Sequence, residues 1–139
     1  MACRFISDLN RINKENSIGE LIRISEALQE KRIAQIADHI SSHRENIRLI
    51  LIAGPSSSGK TSFAQRLRIQ LRVNGLRPVM ISLDDYFLNR EDTPLNEKGQ
   101  YDYESLEALD TKLFNQDMID LLAGKKVQIP RYNFISGMR

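Results

Sequence analysis

Residues 47–62 read IRLILIAGPSSSGKTS. The largely apolar run 47–53 predicts a buried strand, and a Gly-rich turn then leads into a helix. The turn matches G-x-x-x-x-G-K-[ST], the phosphate-binding loop (P-loop) pattern. The four residues that this pattern specifies are Gly54, Gly59, Lys60 and Thr61. A Gly- and Ser-rich turn that contains a lysine by chance is the alternative, and the strand–loop–helix context argues against it.

Each residue type in the loop has a physical role in binding phosphate. Glycines allow backbone N–H groups to approach phosphate oxygens, and the N-terminus of the following helix adds unpaired N–H groups. We expect Lys60 to hold the β- and γ-phosphates of ATP and the Thr61 hydroxyl to ligate Mg²⁺. The expected nucleotide-binding residues are Gly54, Ser56, Ser57, Ser58, Gly59, Lys60, Thr61 and Ser62.

The composition is that of an ordinary soluble globular protein. The chain has 139 residues, 41% of them hydrophobic and 27% charged, which suits one domain with a core. A net charge of +2 gives no reason to expect nucleic acid or an anionic membrane as a partner. The single cysteine, Cys3, excludes an intramolecular disulfide and fits a cytoplasmic setting. The longest apolar run is far too short to span a membrane, and no signal peptide is evident.

The segment before the P-loop predicts a helical arm. Ser17 and Glu20 have the spacing of a capping box, and apolar residues at helical intervals predict a helix from there to about Ser41. His39 and His43 stand four residues apart, as helical metal ligands can, but no third ligand accompanies them, so we interpret them as a polar helix end. We place residues 1–46 in this N-terminal arm and residues 47–139 in a separate domain.

The region after the P-loop predicts a βαβ unit. A helix should end at Asn74-Gly75, and a second strand should run over 79–83, parallel to the first. Asp84 would then lie at the same sheet edge as the P-loop, where it could be a general base for a hydroxyl or a carboxylate that holds Mg²⁺. The alternative is a turn or helix-capping aspartate.

The rest of the chain predicts further α/β elements. A polar loop over 88–102 precedes a helical stretch, capped by Asp102 or a neighbour, that runs in one or two pieces to Gly124. A short strand is expected over 127–129. The predicted fold class is α/β: a P-loop NTPase three-layer sandwich with a mostly parallel sheet, incomplete at its C-terminus, plus the N-terminal helical arm.

Four motifs in order, GPSSSGKT, SLDDYF, YDYESLEALD and VQIPRYNF, resemble the uridine kinase and phosphoribulokinase branch of the P-loop kinases. The resemblance implies an ATP-dependent kinase whose small-molecule substrate is a nucleoside or a related alcohol. It implies that Asp84 activates the acceptor hydroxyl and that Tyr86 and Phe87 flank the acceptor. It further implies that Asp102 holds the ribose hydroxyls and that Tyr132 lines the nucleoside pocket.

Two departures from the family bear on these expectations. Uridine kinases usually have a histidine where this chain has Gly137, and the chain ends before the family's later strands and Arg-rich lid. We therefore expect weak activity from this chain alone. The stretch IGELIRISEALQEKRIAQIADHI resembles the linker of bacterial proteins in which a threonyl-tRNA-synthetase-like region precedes a uridine-kinase-like domain.

Three alternatives to a nucleoside kinase stay open. Gly137 allows a kinase that acts on another sugar-like or pantothenate-like alcohol. A synthetase-like neighbour would suit a nucleotide-binding regulatory module with little turnover. A P-loop ATPase would use Asp84 only as a Mg²⁺ carboxylate. The sequence does not predict an oligomeric state.

Overall fold

The computed structural model describes residues 5–14 and 18–139. The α-helices are α1 (Ile6–Lys14), α2 (Ile18–Ser42), α3 (Lys60–Val73) and α4 (Thr111–Leu122). Short 3₁₀ helices cover Leu83–Tyr86, Arg90–Asp92 and Leu106–Ala108. The chain divides into two compact units, Met1–Pro78 and Val79–Arg139. Within the described ranges, no helix is both long and apolar enough to cross a bilayer.

The core of the first unit lies between α2 and α3. Apolar side chains spaced three or four residues apart form one stripe on each helix, as expected for packed amphipathic helices. The buried members are Ile33, Ala37, Ile40, Leu67 and Leu71. Polar pairs flank this core: the Gln70 amide donates to Glu30 at 2.8 Å, and the Asn74 amide donates to Asp38 at 2.9 Å. The arm helix α2 is thus fixed to the helix that follows the P-loop.

The helix predictions for this unit are largely confirmed. Helix α2 ends within one residue of the predicted position, whereas the predicted cap Ser17 lies outside the described residues. Helix α3 ends as predicted at Asn74-Gly75, where Gly75 has φ +80. The N–H of Leu76 bonds to Leu71 O at 3.0 Å and that of Gly75 to Arg72 O at 3.0 Å, which is the Schellman pattern. Helix α1, which buries Ile12, was not predicted.

The second unit is built from short helical turns around α4. The Asp110 side chain accepts a hydrogen bond from Leu113 N at 3.0 Å and caps α4, whereas Asp102 accepts from Glu104 N at 3.1 Å in a turn. The predicted helical stretch therefore forms in two pieces, and the cap of its main helix is Asp110. Gly124 ends α4 with φ +79, as predicted.

The predicted strands over 47–53, 79–83 and 127–129 are not formed in the structure. Across the described ranges the only β-pairing is three isolated antiparallel bridges, Phe87–Leu109, Leu95–Tyr101 and Asn133–Met138. A central parallel strand needs a neighbour on each side and a helical layer on each face. The run 49–52 lacks such cover, since its side chains are 36% to 79% exposed.

Candidate functional site

The P-loop joins α3 through two residues with positive φ. Ser57 has φ +57 and Gly59 has φ +85, and α3 begins at Lys60 immediately after Gly59. The Phe63 N–H donates to Gly59 O at 2.9 Å and forms the first α-helical bond, which leaves the preceding N–H groups at the helix start for an anion. The left-handed conformation at Gly59 is the reason a glycine suits this position.

Gly54 is closely approached by another residue of the loop. A Cβ at this position would lie 2.9 Å from the Ser58 hydroxyl oxygen, so any side chain would force Ser58 to move. Gly54 therefore suits its position because the Ser58 hydroxyl approaches it closely, whereas Gly59 suits its position because its backbone is left-handed.

Lys60 folds back over the loop. Its ammonium group donates to the carbonyl oxygens of Gly54 and Pro55, each at 2.7 Å. These bonds hold the charge against the backbone of the loop. A phosphate that binds here would offer the same ammonium group stronger, charge-assisted acceptors.

A cavity of about 390 Å³ lies beside the loop. Its loop residues are Ser58, Gly59, Lys60 and Ser62. Its other lining residues are Gln29 from α2, Ile52, Ala53, and Phe63 and Arg66 from α3. Gln29 and Arg66 were not predicted as site residues, because the P-loop pattern contains no position for them.

Asp84 and Asp85 lie in the 3₁₀ helix of the second unit. The Ser82 hydroxyl caps this helix by accepting a hydrogen bond from Asp84 N at 3.3 Å. The Asp84 side chain is exposed, whereas Asp85 accepts a hydrogen bond from Tyr132 N at 3.3 Å. Asp85 therefore fixes the backbone of Tyr132, which was predicted to bind the substrate. Nothing in the sequence indicated this role for Asp85.

Tyr86 is part of the core of the second unit. Its ring is fully buried and meets Phe114 edge-on at a centroid distance of 5.2 Å. Its hydroxyl donates to the buried Asp117 carboxylate at 2.9 Å. Burial, followed by the bond to Asp117, raises the pKa of Tyr86 to about 12. The predicted contact of Tyr86 with an acceptor stays a prediction.

Phe87 and Tyr132 lie together in an aromatic cluster. We define the cluster as Phe87, Tyr103, Tyr132 and Phe134. The centroids of Phe87 and Tyr132 are 5.6 Å apart, and those of Tyr132 and Phe134 are 5.0 Å apart. Tyr132 is 6% exposed, and its hydroxyl makes no hydrogen bond within the described part of the chain. Burial raises the pKa of this hydroxyl.

Arg90 explains the glycine at position 137. Its guanidinium donates to Phe134 O at 3.0 Å and to the Tyr103 hydroxyl at 3.4 Å. A Cβ on Gly137 would lie 2.8 Å from the guanidinium carbon, and Gly137 has φ +72. Arg90 thus occupies the space that a side chain at position 137 would need. Sequence reasoning missed Arg90, which lies 47 positions away in the chain.

Asp102 lies apart from these contacts. Its carboxylate accepts from Glu104 N at 3.1 Å, and its own N–H donates to Pro94 O at 2.8 Å. The structure thus brings Phe87 and Tyr132 together within the second unit, while the contacts of Asp84 and Asp102 are local. Among the described residues, no group of three or more His, Cys, Asp or Glu side chains is placed to hold a metal ion.

Comparison with known proteins identifies similar sequences over the same region. Residues 49–139 match the Phosphoribulokinase / Uridine kinase family. The chain is 41% identical over 90 residues to a uridine kinase of Schizosaccharomyces pombe, a match that covers 63% of this chain and 19% of that protein. It is 35% identical over 91 residues to a uridine kinase of Chloroflexus aurantiacus, covering 66% of this chain and 43% of that protein.

A uridine kinase of Mycoplasma genitalium is 33% identical over 91 residues, covering 66% of this chain and 42% of that protein. The chain therefore spans less than half the length of the curated relatives named here. No solved structure matches the chain. The family match covers most of the chain and includes the P-loop, Asp84 and the aromatic cluster, so the chain belongs to the phosphoribulokinase / uridine kinase family.

Proposed function

We propose that this chain is part of an ATP-dependent kinase that phosphorylates a hydroxyl group of a nucleoside such as uridine. The observation that carries the proposal is the P-loop itself, in which Gly59 adopts φ +85 and α3 begins at Lys60. Membership of the phosphoribulokinase / uridine kinase family and the similarity to uridine kinases of three organisms support it.

The proposed nucleotide site uses the loop and the first turn of α3. Lys60 exchanges its two carbonyl acceptors for the β- and γ-phosphates of ATP, while backbone N–H groups of residues 56–62 bind phosphate oxygens. Thr61 lies in the first turn of α3 and offers the hydroxyl oxygen that Mg²⁺ accepts as a ligand. Bound Mg²⁺ would neutralise charge on the phosphates.

The proposed transfer step uses Asp84 as the general base. Asp84 accepts the proton of the acceptor hydroxyl, the hydroxyl oxygen bonds to the γ-phosphorus, and the bond to the bridging oxygen breaks to release ADP. Phe87 and Tyr132 would pack against the acceptor, and Asp102 would bind its ribose hydroxyls. Tyr86 would support this pocket from the core through its bond to Asp117.

The finer structural predictions belong to the same proposal. We expect residues 47–53 and 79–83 to form parallel strands of a P-loop NTPase sheet when the neighbouring strands are present. We also propose the domain boundary after residue 46 and a cytoplasmic location. The apolar sequence of the run 49–52 supports the proposed sheet, because such a run is typical of a strand buried on both faces.

A different acceptor is the second candidate. Arg90 packs where a side chain at position 137 would be, so a guanidinium lies in this part of the unit and would favour an acceptor with an anionic or carbonyl group. Such an alcohol would still use the same P-loop and Asp84.

Isothermal titration of the chain with Mg·ATP tests the nucleotide site. We expect saturable binding that Lys60→Ala abolishes and that Lys31→Ala, an exposed lysine of α2, leaves unchanged. Equal loss in both variants would mean that charge alone attracts the nucleotide, and no effect of Lys60→Ala would contradict the P-loop assignment.

Transfer of labelled γ-phosphate in the whole protein tests the acceptor. Phosphorylated uridine, lost in Asp84→Asn with ATP binding retained, is the expected result. Transfer only to another alcohol would favour the second candidate. Release of phosphate without an acceptor would indicate an ATPase, and binding without turnover would indicate a regulatory module.

A further inference from the structure

The cavity beside the P-loop is walled in part by the N-terminal arm. Gln29 of α2 lines it together with loop residues such as Ser58 and Ser62. Its volume of about 390 Å³ falls within the range of small-molecule sites. The P-loop pattern accounts only for phosphate binding, so the wall formed by α2 needs its own explanation.

Arg66 forms a second part of this wall. It lies six residues after Lys60 on α3, which places it about 9 Å farther along the helix axis at 1.5 Å per residue. Lys60 and Arg66 line the same cavity, so Arg66 is available to a part of a ligand other than the phosphates that Lys60 would hold. Phe63 and Ile52 add apolar surface to the same cavity.

The Glu30 carboxylate of α2 contacts two side chains of α3, one of which is Arg66. Glu30 of α2 accepts a hydrogen bond from Gln70 at 2.8 Å and lies 3.6 Å from the Arg66 guanidinium. Ile33, Ala37 and Leu67 belong to the buried core cluster between the same two helices. Gln29, next to Glu30 in sequence, is therefore held beside the loop by a packed interface.

The chemistry of these two side chains fits the non-phosphate part of a nucleotide. A carboxamide both donates and accepts hydrogen bonds, as a base edge or ribose hydroxyl does, and a guanidinium stacks on flat rings. We propose that Gln29 and Arg66 contact the nucleoside part of ATP, so that the arm helix α2 completes the nucleotide site. This inference rests on the proposed function and adds residues outside the P-loop to it.

The test compares Mg·ATP with Mg·tripolyphosphate, which lacks the base and the ribose, by isothermal titration. We expect Gln29→Ala and Arg66→Ala each to weaken ATP binding on the order of 3- to 10-fold, the range for one lost hydrogen bond, and to leave tripolyphosphate binding nearly unchanged. Matched controls are Gln35→Ala on α2 and Arg68→Ala on α3, which remove the same side chains at exposed positions outside the cavity.

Different failures have different meanings. If Lys60→Ala abolishes binding of both ligands but Gln29→Ala binds ATP like the wild type, the arm does not contact the nucleotide and this inference is wrong. If Arg66→Ala and Arg68→Ala weaken both ligands equally, the effect is general electrostatics, which also overturns it. A wild-type chain that binds neither ligand overturns the proposed function, and this inference with it.

Hydrogen exchange supplies a readout that does not depend on the variants folding. Mg·ATP should slow exchange of the α2 amides around Gln29 in the wild-type chain, whereas tripolyphosphate should slow exchange only in the P-loop and at the start of α3. Equal protection of α2 by both ligands would contradict a contact with the nucleoside part.

Discussion

At the scale of single residues, Tyr86 shows how partners far apart in the chain change an interpretation. The motif SLDDYF suggested a substrate contact, but the Tyr86 ring is fully buried and its hydroxyl bonds to Asp117, 31 positions later. A buried carboxylate that loses its donor is unfavourable. The hydroxyl of Tyr86 therefore contributes to stability whether or not the residue also flanks a substrate.

Tyr86→Phe should lower the free energy of unfolding by about 1–3 kcal/mol, because Asp117 stays buried without its donor. Urea unfolding measured by circular dichroism checks this. Tyr101→Phe, at a tyrosine that is 45% exposed, is the matched control and should change little. Equal effects in the two variants would contradict a special role for the buried hydroxyl.

The same tyrosine predicts a pH dependence. Its pKa is raised to about 12 in the folded protein and is about 10 in an unfolded chain. Folding thus favours the neutral phenol, so this contribution is complete below about pH 10 and is lost as the pH rises toward about 12. Wild type should lose more stability than Tyr86→Phe between about pH 8 and pH 11, and parallel losses would contradict the pKa assignment.

Alanine substitutions at Gly137 and Gly99 separate the cost of backbone strain from the cost of crowding by Arg90. Gly137→Ala should lower the free energy of unfolding by about 2–4 kcal/mol, since it adds a contact at 2.8 Å with Arg90 to a left-handed backbone. Gly99 has the same φ of +72, and no atom lies within 4 Å of the position that a Cβ would take there, so Gly99→Ala should show only the backbone part, about 1 kcal/mol. Equal losses in urea unfolding would exclude crowding by Arg90.

At the scale of elements, the packing of α2 on α3 stabilises the first unit. Leu67→Ala should lower the free energy of unfolding by about 2–5 kcal/mol, because this side chain is 3% exposed among Ile33, Ala37 and Leu71. Ile69→Ala, on the same helix and 60% exposed, is the control and should change stability by less than about 1 kcal/mol. Thermal unfolding followed by the helical circular dichroism signal compares the two variants. Similar losses of stability would contradict a buried interface between α2 and α3.

At the scale of the whole molecule, the segments predicted as strands are the part of the predicted fold that the structure does not show. Because no strand forms in the described residues, the amides of residues 49–53 should exchange rapidly with solvent, while those in the middle of α3 should be protected. Hydrogen exchange read by mass spectrometry checks this. Protection of 49–53 as strong as that of α3 would show a sheet in solution and contradict the prediction.

The sequence predicted those features that depend on only a few neighbouring residues. The P-loop glycines, the ends of α3 and α4 at Gly75 and Gly124, and the extent of α2 depend on backbone conformation and helical periodicity within a few residues. The predicted strands did not form in this structure. A strand needs hydrogen bonds to neighbouring strands, and the apolar run alone cannot provide them.

By itself, the sequence determined that this chain has the P-loop pattern and the motifs of the phosphoribulokinase / uridine kinase family, since both depend on residue types at fixed spacing. Only the tertiary structure decided that Tyr86 bonds to Asp117, that Arg90 packs on Gly137, and that Gln29 of the arm lines the cavity beside the loop. These contacts join residues about 30 to 50 positions apart, and the packing energy of whole elements selects them rather than any local pattern.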